Sequence, residues 1–328
     1  MKTSTKIFAA LPIIGLAAGM AFFFLSAPDE LKPESGATQS VREIALLPGV
    51  EAFVAELSAA DSSGAFRIYK IRAALSAFPR TLSPDDVFAL ARAVDSQSVP
   101  AGREALEWGE VYNNAWNLIR AQKTPPRGLE KLLMARVEKG APILRDYALQ
   151  HLSELLAVGG VGDKALSERE FSAALAVVEK YAAAPGDRLC GTALNGLARI
   201  CESDSGGCFA AGAKCGERLT RYCSAAFEGG SGARVETLVA SAGILSAQRN
   251  PAALDSVRER LFNETVSLPV FARISLIHYL KTCGSDADRA RLRKRFADSP
   301  DLRLRAAVGS DFADAGGSGS HPDAFSSR

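Results

Sequence analysis

Three aromatic side chains recur at four-residue steps within residues 104–119: Trp108, Tyr112 and Trp116. Residues four positions apart share one side of an α-helix, so the three rings form a single face. That face could stack a sugar ring, contact lipid or bind a peptide, which makes it a candidate binding site. It could equally be the side of the helix that packs into the core.

Arginine recurs near the start of three later segments, at Arg145, Arg273 and Arg303. These side chains are candidates for a partner-binding surface to which each of the three segments contributes one arginine. They could instead pair with carboxylates of neighbouring helices, such as Asp146. Residues 288–305 hold seven basic side chains. This segment suits an anionic lipid, an acidic protein or nucleic acid, or is simply a solvated helix face.

Five of the six cysteines lie in one short part of the chain: Cys190, Cys201, Cys208, Cys215 and Cys223. Their spacing is not that of zinc ligands, and no CxxC motif occurs. If the two helices that contain them run antiparallel about the turn at 203–207, Cys201 lies opposite Cys208 and Cys190 lies nearest Cys223. We predict these two disulfides in an oxidising compartment. The alternative is a set of small buried side chains in a reduced core.

The charge balance and the absent motifs exclude several functions. The chain has 39 basic and 37 acidic residues, and a net charge of +2 gives no general attraction to nucleic acid. Its three histidines are too few and too scattered for a multi-histidine metal site. No phosphate-binding glycine loop, nucleophile elbow or zinc-protease motif occurs. We expect no cofactor, no metal, no nucleic-acid partner and no catalysis. The alternative is an enzyme or lyase whose acids and arginines come from separate helices.

Helix start signals are frequent in this sequence. Ser83 with Asp86, and Ser167 with Glu170, have the spacing of capping boxes. Apolar residues recur at three- and four-residue spacing between such starts, and alternating β-branched runs are nearly absent. The sequence therefore predicts an all-α fold. We place helices near 41–59, 64–78, 84–95, 103–122, 127–139, 142–157, 168–183, 187–201, 209–227, 232–248, 251–263, 268–282, 287–298 and 301–313.

These helices form pairs with a regular period. The second helices of successive pairs begin about 35 to 45 residues apart, which is typical of stacked helical hairpins. Residues 142–156, PILRDYALQHLSELL, resemble the second helix of a HEAT repeat, with proline first, arginine in the first turn, and small and leucine positions after it. Residues 268–280 and 300–308 repeat this pattern, whereas 186–197 lacks the proline and 232–245 fits least.

The resemblance to HEAT-like (armadillo-type) repeat proteins extends over roughly residues 80–315. It implies a curved, right-handed α-solenoid of stacked antiparallel helical hairpins, with the second helices on the concave side. One hairpin cannot bury its apolar side alone, which is why such units stack on their neighbours. We assign residues 41–314 to this repeat domain.

The N-terminal residues 1–26 predict the compartment. Residues 7–25 are nineteen uncharged residues, and a helix of that length spans roughly 28 Å, close to the hydrocarbon thickness of a bilayer. We expect a single-pass signal anchor with the body on the extracytoplasmic, periplasmic side. A secreted protein with a cleaved signal is the alternative. Residues 27–40 read as a flexible linker, and residues 315–328 as a disordered tail.

Together these features favour a membrane-tethered, exported helical-repeat scaffold that binds a protein partner. The membrane contact would come from the N-terminal helix, and binding would use an extended surface instead of a deep pocket. A cell-wall glycan or lipid binding module that uses the aromatic face of Trp108, Tyr112 and Trp116 is a further alternative.

Overall fold

Local side chains set the starts of several helices. Ser167 accepts a hydrogen bond from the backbone N–H of Glu170, while the Glu170 carboxylate accepts one from the Ser167 backbone N–H at 2.9 Å. Ser83 and Asp86 form the same reciprocal pair, with the Asp86 N–H donating to the Ser83 hydroxyl at 3.1 Å. Both predicted capping boxes are confirmed.

The computed structural model describes residues 48–58, 64–79, 81–96, 103–122, 126–158, 166–203, 214–228, 232–263 and 267–309. These residues form fourteen α-helices and no β-strand, which confirms the all-α class. The helices are α1 (Pro48–Ser58), α2 (Gly64–Ser76), α3 (Pro84–Ser96), α4 (Arg103–Arg120), α5 (Leu129–Glu138), α6 (Pro142–Val158), α7 (Glu168–Ala182), α8 (Cys190–Glu202), α9 (Cys215–Ala225), α10 (Val235–Ala247), α11 (Leu254–Phe262), α12 (Val270–Cys283), α13 (Asp286–Phe296) and α14 (Leu302–Gly309).

The helices pack in an order that follows the sequence. Each odd-numbered helix contacts the even-numbered helix that comes after it, so that the chain forms successive pairs. The even-numbered helices also contact one another in unbroken order from α2 to α14, and α1, α3, α5 and α7 do the same. This packing is compatible with a helical repeat. One connected apolar core runs through it from Val50 to Val308.

Polar contacts show that the neighbouring helices α6 and α8 run in the same direction. Near the start of α6, Asp146 accepts a hydrogen bond of 2.6 Å from Thr192, near the start of α8. In the second halves of the same helices, Glu154 pairs with Arg199 at 2.8 Å. Because early residues meet early residues and late residues meet late ones, α6 and α8 lie parallel.

Glycine allows α8 to approach its neighbours closely. A Cβ atom at Gly196 would lie 2.1 Å from the Ser153 hydroxyl oxygen on α6. A Cβ atom at Gly191 would lie 3.3 Å from the Glu236 carbonyl oxygen on α10. Since 2.1 Å is far inside van der Waals contact, any larger residue at position 196 would push α6 and α8 apart.

Ion pairs join the odd-numbered helices across a similar interval of sequence. Arg136 on α5 pairs with Asp95 on α3 at 2.8 Å, and both side chains are mostly buried. Lys180 on α7 reaches Glu138 on α5 at 2.9 Å, in a more exposed pair. The exposed Lys180–Glu138 pair contributes little to stability, because solvent screens its charges.

Several predicted segments lie outside the described residues: the anchor at 7–25, the linker at 27–40 and the tail at 315–328. In the part of the chain that the structure does describe, no helix combines the length and the apolar character needed to cross a bilayer.

The cysteine pairing differs from the prediction. Cys201 is bonded to Cys215 and not to Cys208, which lies outside the described residues. The prediction was wrong because it began the second helix at 209, whereas α9 begins at Cys215 and places that residue beside the end of α8. The predicted bond between Cys190 and Cys223 is also absent, since both are free thiols.

The two free thiols are buried and turned toward other helices. The Cys190 thiol donates to the Ala182 carbonyl oxygen at 3.4 Å. The Cys223 thiol lies against the hydroxyl of Ser241 on α10. Burial raises the pKa of Cys190 to about 11 and that of Cys223 to about 12. Neither thiol therefore forms the reactive thiolate at neutral pH.

We expect unreduced peptide mapping of the native protein to recover a Cys201–Cys215 crosslink. We also expect Cys190 and Cys223 to resist alkylation by iodoacetamide at pH 8 until guanidinium chloride unfolds the chain, because both are buried protonated thiols. The half-buried Cys283 serves as the reference thiol. A peptide joined through Cys190 and Cys223, or through Cys201 and Cys208, would contradict this pairing.

Candidate functional site

The aromatic face of α4 lies in the core. Trp108, Tyr112 and Trp116 are 5%, 2% and 1% exposed. A ring that is almost fully covered cannot stack a sugar or contact a lipid, so the prediction of a ligand-binding face at these three residues is wrong. The alternative holds: the four-residue spacing marks the side of α4 that packs against its neighbours.

The ring of Trp116 stacks on His151 of α6, with centroids 6.1 Å apart and planes inclined by 26°. His151 is completely buried, and neither of its ring nitrogens has a hydrogen-bond partner among the described residues. Burial in these apolar surroundings is the main cause that lowers the pKa of His151 to about 3, and the nearby Arg120 charge adds to it. The imidazole is therefore neutral at physiological pH.

Glu154 connects three consecutive even-numbered helices. Its carboxylate accepts from Arg120 on α4 at 2.8 Å through one oxygen and pairs with Arg199 on α8 at 2.8 Å through the other. The Glu154 side chain is only 11% exposed. A nearly buried carboxylate needs such partners, because an uncompensated charge at this depth would be strongly destabilising.

Two of the three predicted arginines bind to their own chain. Arg145 donates to the Val137 carbonyl oxygen at 2.7 Å and to the Tyr181 hydroxyl at 3.2 Å, so it ties α6 to the helices before and after it. Arg303 forms an ion pair of 2.8 Å with Asp301 at the start of α14. The alternative of a carboxylate partner on a neighbouring helix holds for neither: Arg145 binds neutral groups, and Asp301 directly precedes the helix of Arg303. Asp146 is bound by Thr192 and is not the partner of Arg145.

Arg273 is different from the other two. It is half-buried in the first turn of α12 and makes no side-chain hydrogen bond or ion pair with the described residues. It lines a pocket together with arginines from α11 and α13. The structure therefore separates the three predicted arginines into two that bind groups of their own chain and one that faces a cavity.

Part of the basic segment 288–305 is also used within the fold. Arg289 donates to the Gly284 carbonyl oxygen at 2.7 Å, at the end of α12. Arg291 lies over the Phe262 ring of α11 at 4.0 Å. These contacts attach the basic helix α13 to its neighbours and leave most of its charged groups exposed.

A set of large apolar side chains remains exposed, and no sequence pattern predicted them. All of them lie on even-numbered helices: Tyr69, Leu106, Val158, Phe271 and Leu302. Tyr69 is 70% exposed and Leu302 is 69% exposed. No local pattern distinguishes these residues from core positions. Their shared location on the even-numbered helices is visible only once the helices are assigned to two series.

No model of a known protein family matches this sequence, and no curated protein sequence matches it. In the described parts of the chain, no three His, Cys, Asp or Glu side chains come together in the way a metal ion requires.

Replacing Trp116 by alanine should lower the free energy of unfolding by about 3–5 kcal/mol, because it leaves a large cavity in the core. Urea unfolding followed by far-ultraviolet circular dichroism measures this change. Tyr69→Ala is the matched control, since that ring is mostly exposed and its loss should change stability by less than about 0.5 kcal/mol. Equal effects of the two substitutions would contradict the burial of the aromatic face.

The buried His151 should make stability depend on pH. Its pKa is about 3 when folded and near 6.5 when unfolded, so the unfolded chain binds one more proton between these values. Its contribution is fully present above pH 6.5 and is lost as the pH falls toward 3. The slope approaches about 1.4 kcal/mol per pH unit in this window.

His151→Phe removes the titrating group and keeps a ring against Trp116. Plots of unfolding free energy against pH should run parallel for the wild type and this variant above pH 7. Below pH 6 the unfolding free energy of the wild type should fall more steeply, because only the wild type takes up a proton at residue 151 when it unfolds. The carboxylates contribute equally to both proteins. Parallel lines down to pH 4.5 would show that His151 is not buried in its neutral form.

Proposed function

We propose that this chain is a HEAT-like α-solenoid that acts as a protein-interaction scaffold, with the even-numbered helices forming the surface that binds a partner. The observation that carries this proposal is the distribution of exposed apolar side chains. All of those identified lie on the even-numbered series and none on the odd-numbered one, in the residues that the structure describes.

The packing order supports a scaffold of this kind. Helix pairs that contact mainly their sequence neighbours extend a surface with every added pair, instead of closing around a central cavity. Such surfaces gain affinity from area and from a few buried anchor residues. Aromatic and aliphatic side chains like Tyr69, Phe271 and Leu302 suit that role, since each would lose its contact with water in a complex.

The interval between paired charges supports the repeat. On the odd-numbered helices, Asp95 pairs with Arg136, Glu138 with Lys180, and residues 179 and 218 pair in the same way. These partners are 41, 42 and 39 residues apart. If equivalent positions of successive hairpins pair with one another, the same sequence interval should reappear from contact to contact, as it does in these three.

The proposed location rests on the amino-acid sequence. The uncharged segment 7–25, with lysines before it and acids after it, favours a single-pass anchor that leaves the body in the periplasm. A Cys201–Cys215 disulfide agrees with an oxidising compartment. In this proposal the repeat domain is held near the membrane, where it binds other exported proteins.

A triple variant tests the binding surface: Tyr69→Asp, Phe271→Asp and Leu302→Asp. The matched control places three aspartates at exposed positions of the odd-numbered helices, Ala52→Asp, Ala173→Asp and Ala287→Asp. Each full-length protein is expressed in the source cells, crosslinked in the membrane and purified, and its partners are quantified by mass spectrometry. The amount of a partner recovered with the triple variant of the even-numbered helices (the even-series variant) should fall at least about tenfold, whereas the control variant should retain that partner. The reason is that anchor residues contribute about 2 kcal/mol or more each.

Circular dichroism melting separates binding from folding, since both variants change only exposed residues and should melt within a few degrees of the wild type. If the control variant loses its partners and the even-series variant keeps them, the binding surface lies on the other series. If both variants keep every partner, the exposed apolar residues are not the anchors and the proposal fails.

A further inference from the structure

We propose that the pocket between α11, α12 and α13 binds a phosphate group. The pocket lies where α11 ends, α12 begins and α13 ends. Its volume is about 70 Å³. Because one water molecule needs about 10–15 Å³ of such space, the pocket has room for one small oxyanion. This proposal is independent of the partner-binding surface, since it depends on three adjacent helices only.

Three guanidinium groups line the pocket, one from each helix: Arg260, Arg273 and Arg295. No acidic side chain is among the described residues that line it. Arg260 donates to the backbone carbonyl oxygens of Phe227 and Glu228, at 3.4 and 3.3 Å, and these neutral groups leave its charge uncompensated. Two of these groups, Arg260 and Arg273, form no ion pair with a described residue, and like charges around a small concave surface create a positive potential that concentrates anions.

Helix stability accounts for two of these arginines and not for the third. Arg260 and Arg295 lie in the last turns of α11 and α13, where a cation interacts favourably with the helix dipole. Arg273 lies in the first turn of α12, where a cation is unfavourable. The fold therefore loses stability by holding a half-buried positive charge at this position beside two others.

Two other first-turn arginines have hydrogen-bond or ion-pair partners within the chain. Arg145 in α6 is bound by a carbonyl oxygen and a tyrosine hydroxyl, and Arg303 in α14 is paired with Asp301. Arg273 has no such partner among the described residues. An anion from outside the chain would supply at this site what the protein supplies at the other two.

The chemistry of the pocket favours phosphate. Guanidinium groups bind phosphate oxygens through two parallel hydrogen bonds, and the charges of Arg260 and Arg273 match a doubly charged group better than a single carboxylate. The rest of the lining consists of the polar Asn263 and the apolar Leu261, Leu268 and Phe296. Inorganic phosphate and the headgroup of an anionic lipid share this chemistry, and the apolar lining would also accept the stem of a phosphate monoester.

Isothermal titration calorimetry of the full-length protein in neutral detergent micelles tests this site. The ligands are inorganic phosphate and dioctanoyl phosphatidic acid, with dioctanoyl phosphatidylcholine and sodium chloride of equal ionic strength as controls. Arg273→Gln should weaken binding by about tenfold or more, because it removes a charge-assisted contact. Arg303→Gln is the matched control, since it makes the same change of charge at an exposed, internally paired arginine.

The two ligands distinguish the source of the phosphate. If inorganic phosphate binds and phosphatidic acid binds no more tightly, the site is assigned to free phosphate. If only phosphatidic acid binds, the site is assigned to a lipid headgroup. Loss of binding in Arg273→Gln but not in Arg303→Gln supports the pocket in either case. If the wild type binds neither ligand beyond the chloride and phosphatidylcholine controls, or if both variants weaken binding equally, the proposal is overturned.

Discussion

Lateral packing between even-numbered helices is the interaction on which this structure depends. A single helix pair has an apolar side that it cannot cover, and here that side is covered by the pairs before and after it. The close approach of Gly196 to Ser153 brings α8 against α6, and the hydrogen bond from Thr192 to Asp146 fixes their register. Burial of apolar side chains provides the free energy that holds α6 and α8 together. The polar contacts select one alignment of the two helices.

The same packing explains where buried polar groups are tolerated. Glu154 is nearly covered, yet arginines from the helices on either side reach it. His151, one turn earlier on α6, has no such partners and is held in its neutral form instead. The two residues show the two ways in which a buried ionisable group can persist: by pairing its charge, or by losing it.

Much of the fold could be predicted from the sequence because its signals are local. Serine caps and three- and four-residue apolar spacing determine where helices lie, and the structure has fourteen of them in the predicted order within its described residues. The cysteine pairing could not be predicted in this way. A disulfide depends on the position of the intervening turn, and moving the start of α9 to Cys215 changes every cross-helix neighbour.

The candidate site was harder to predict than the fold. The spacing of Trp108 and Trp116 is the same for a core face and a binding face, and only the neighbouring helices decide between them. The arginines present the same difficulty, since the Tyr181 hydroxyl that binds Arg145 is 36 residues away. Sequence spacing identified Arg273 as a candidate, but its lack of a partner became visible only in three dimensions.

The restriction of substantial helix contacts to helices at most two places apart has a mechanical consequence. Elements linked only to near neighbours behave as springs in series, so each pair would bear the full tension applied between the ends and the extension would be shared along the row. The two terminal pairs, α1–α2 and α13–α14, are each covered on one side only in the described chain and would detach first. The Cys201–Cys215 disulfide would survive such tension and would keep the end of α8 joined to the start of α9 while other helices separate.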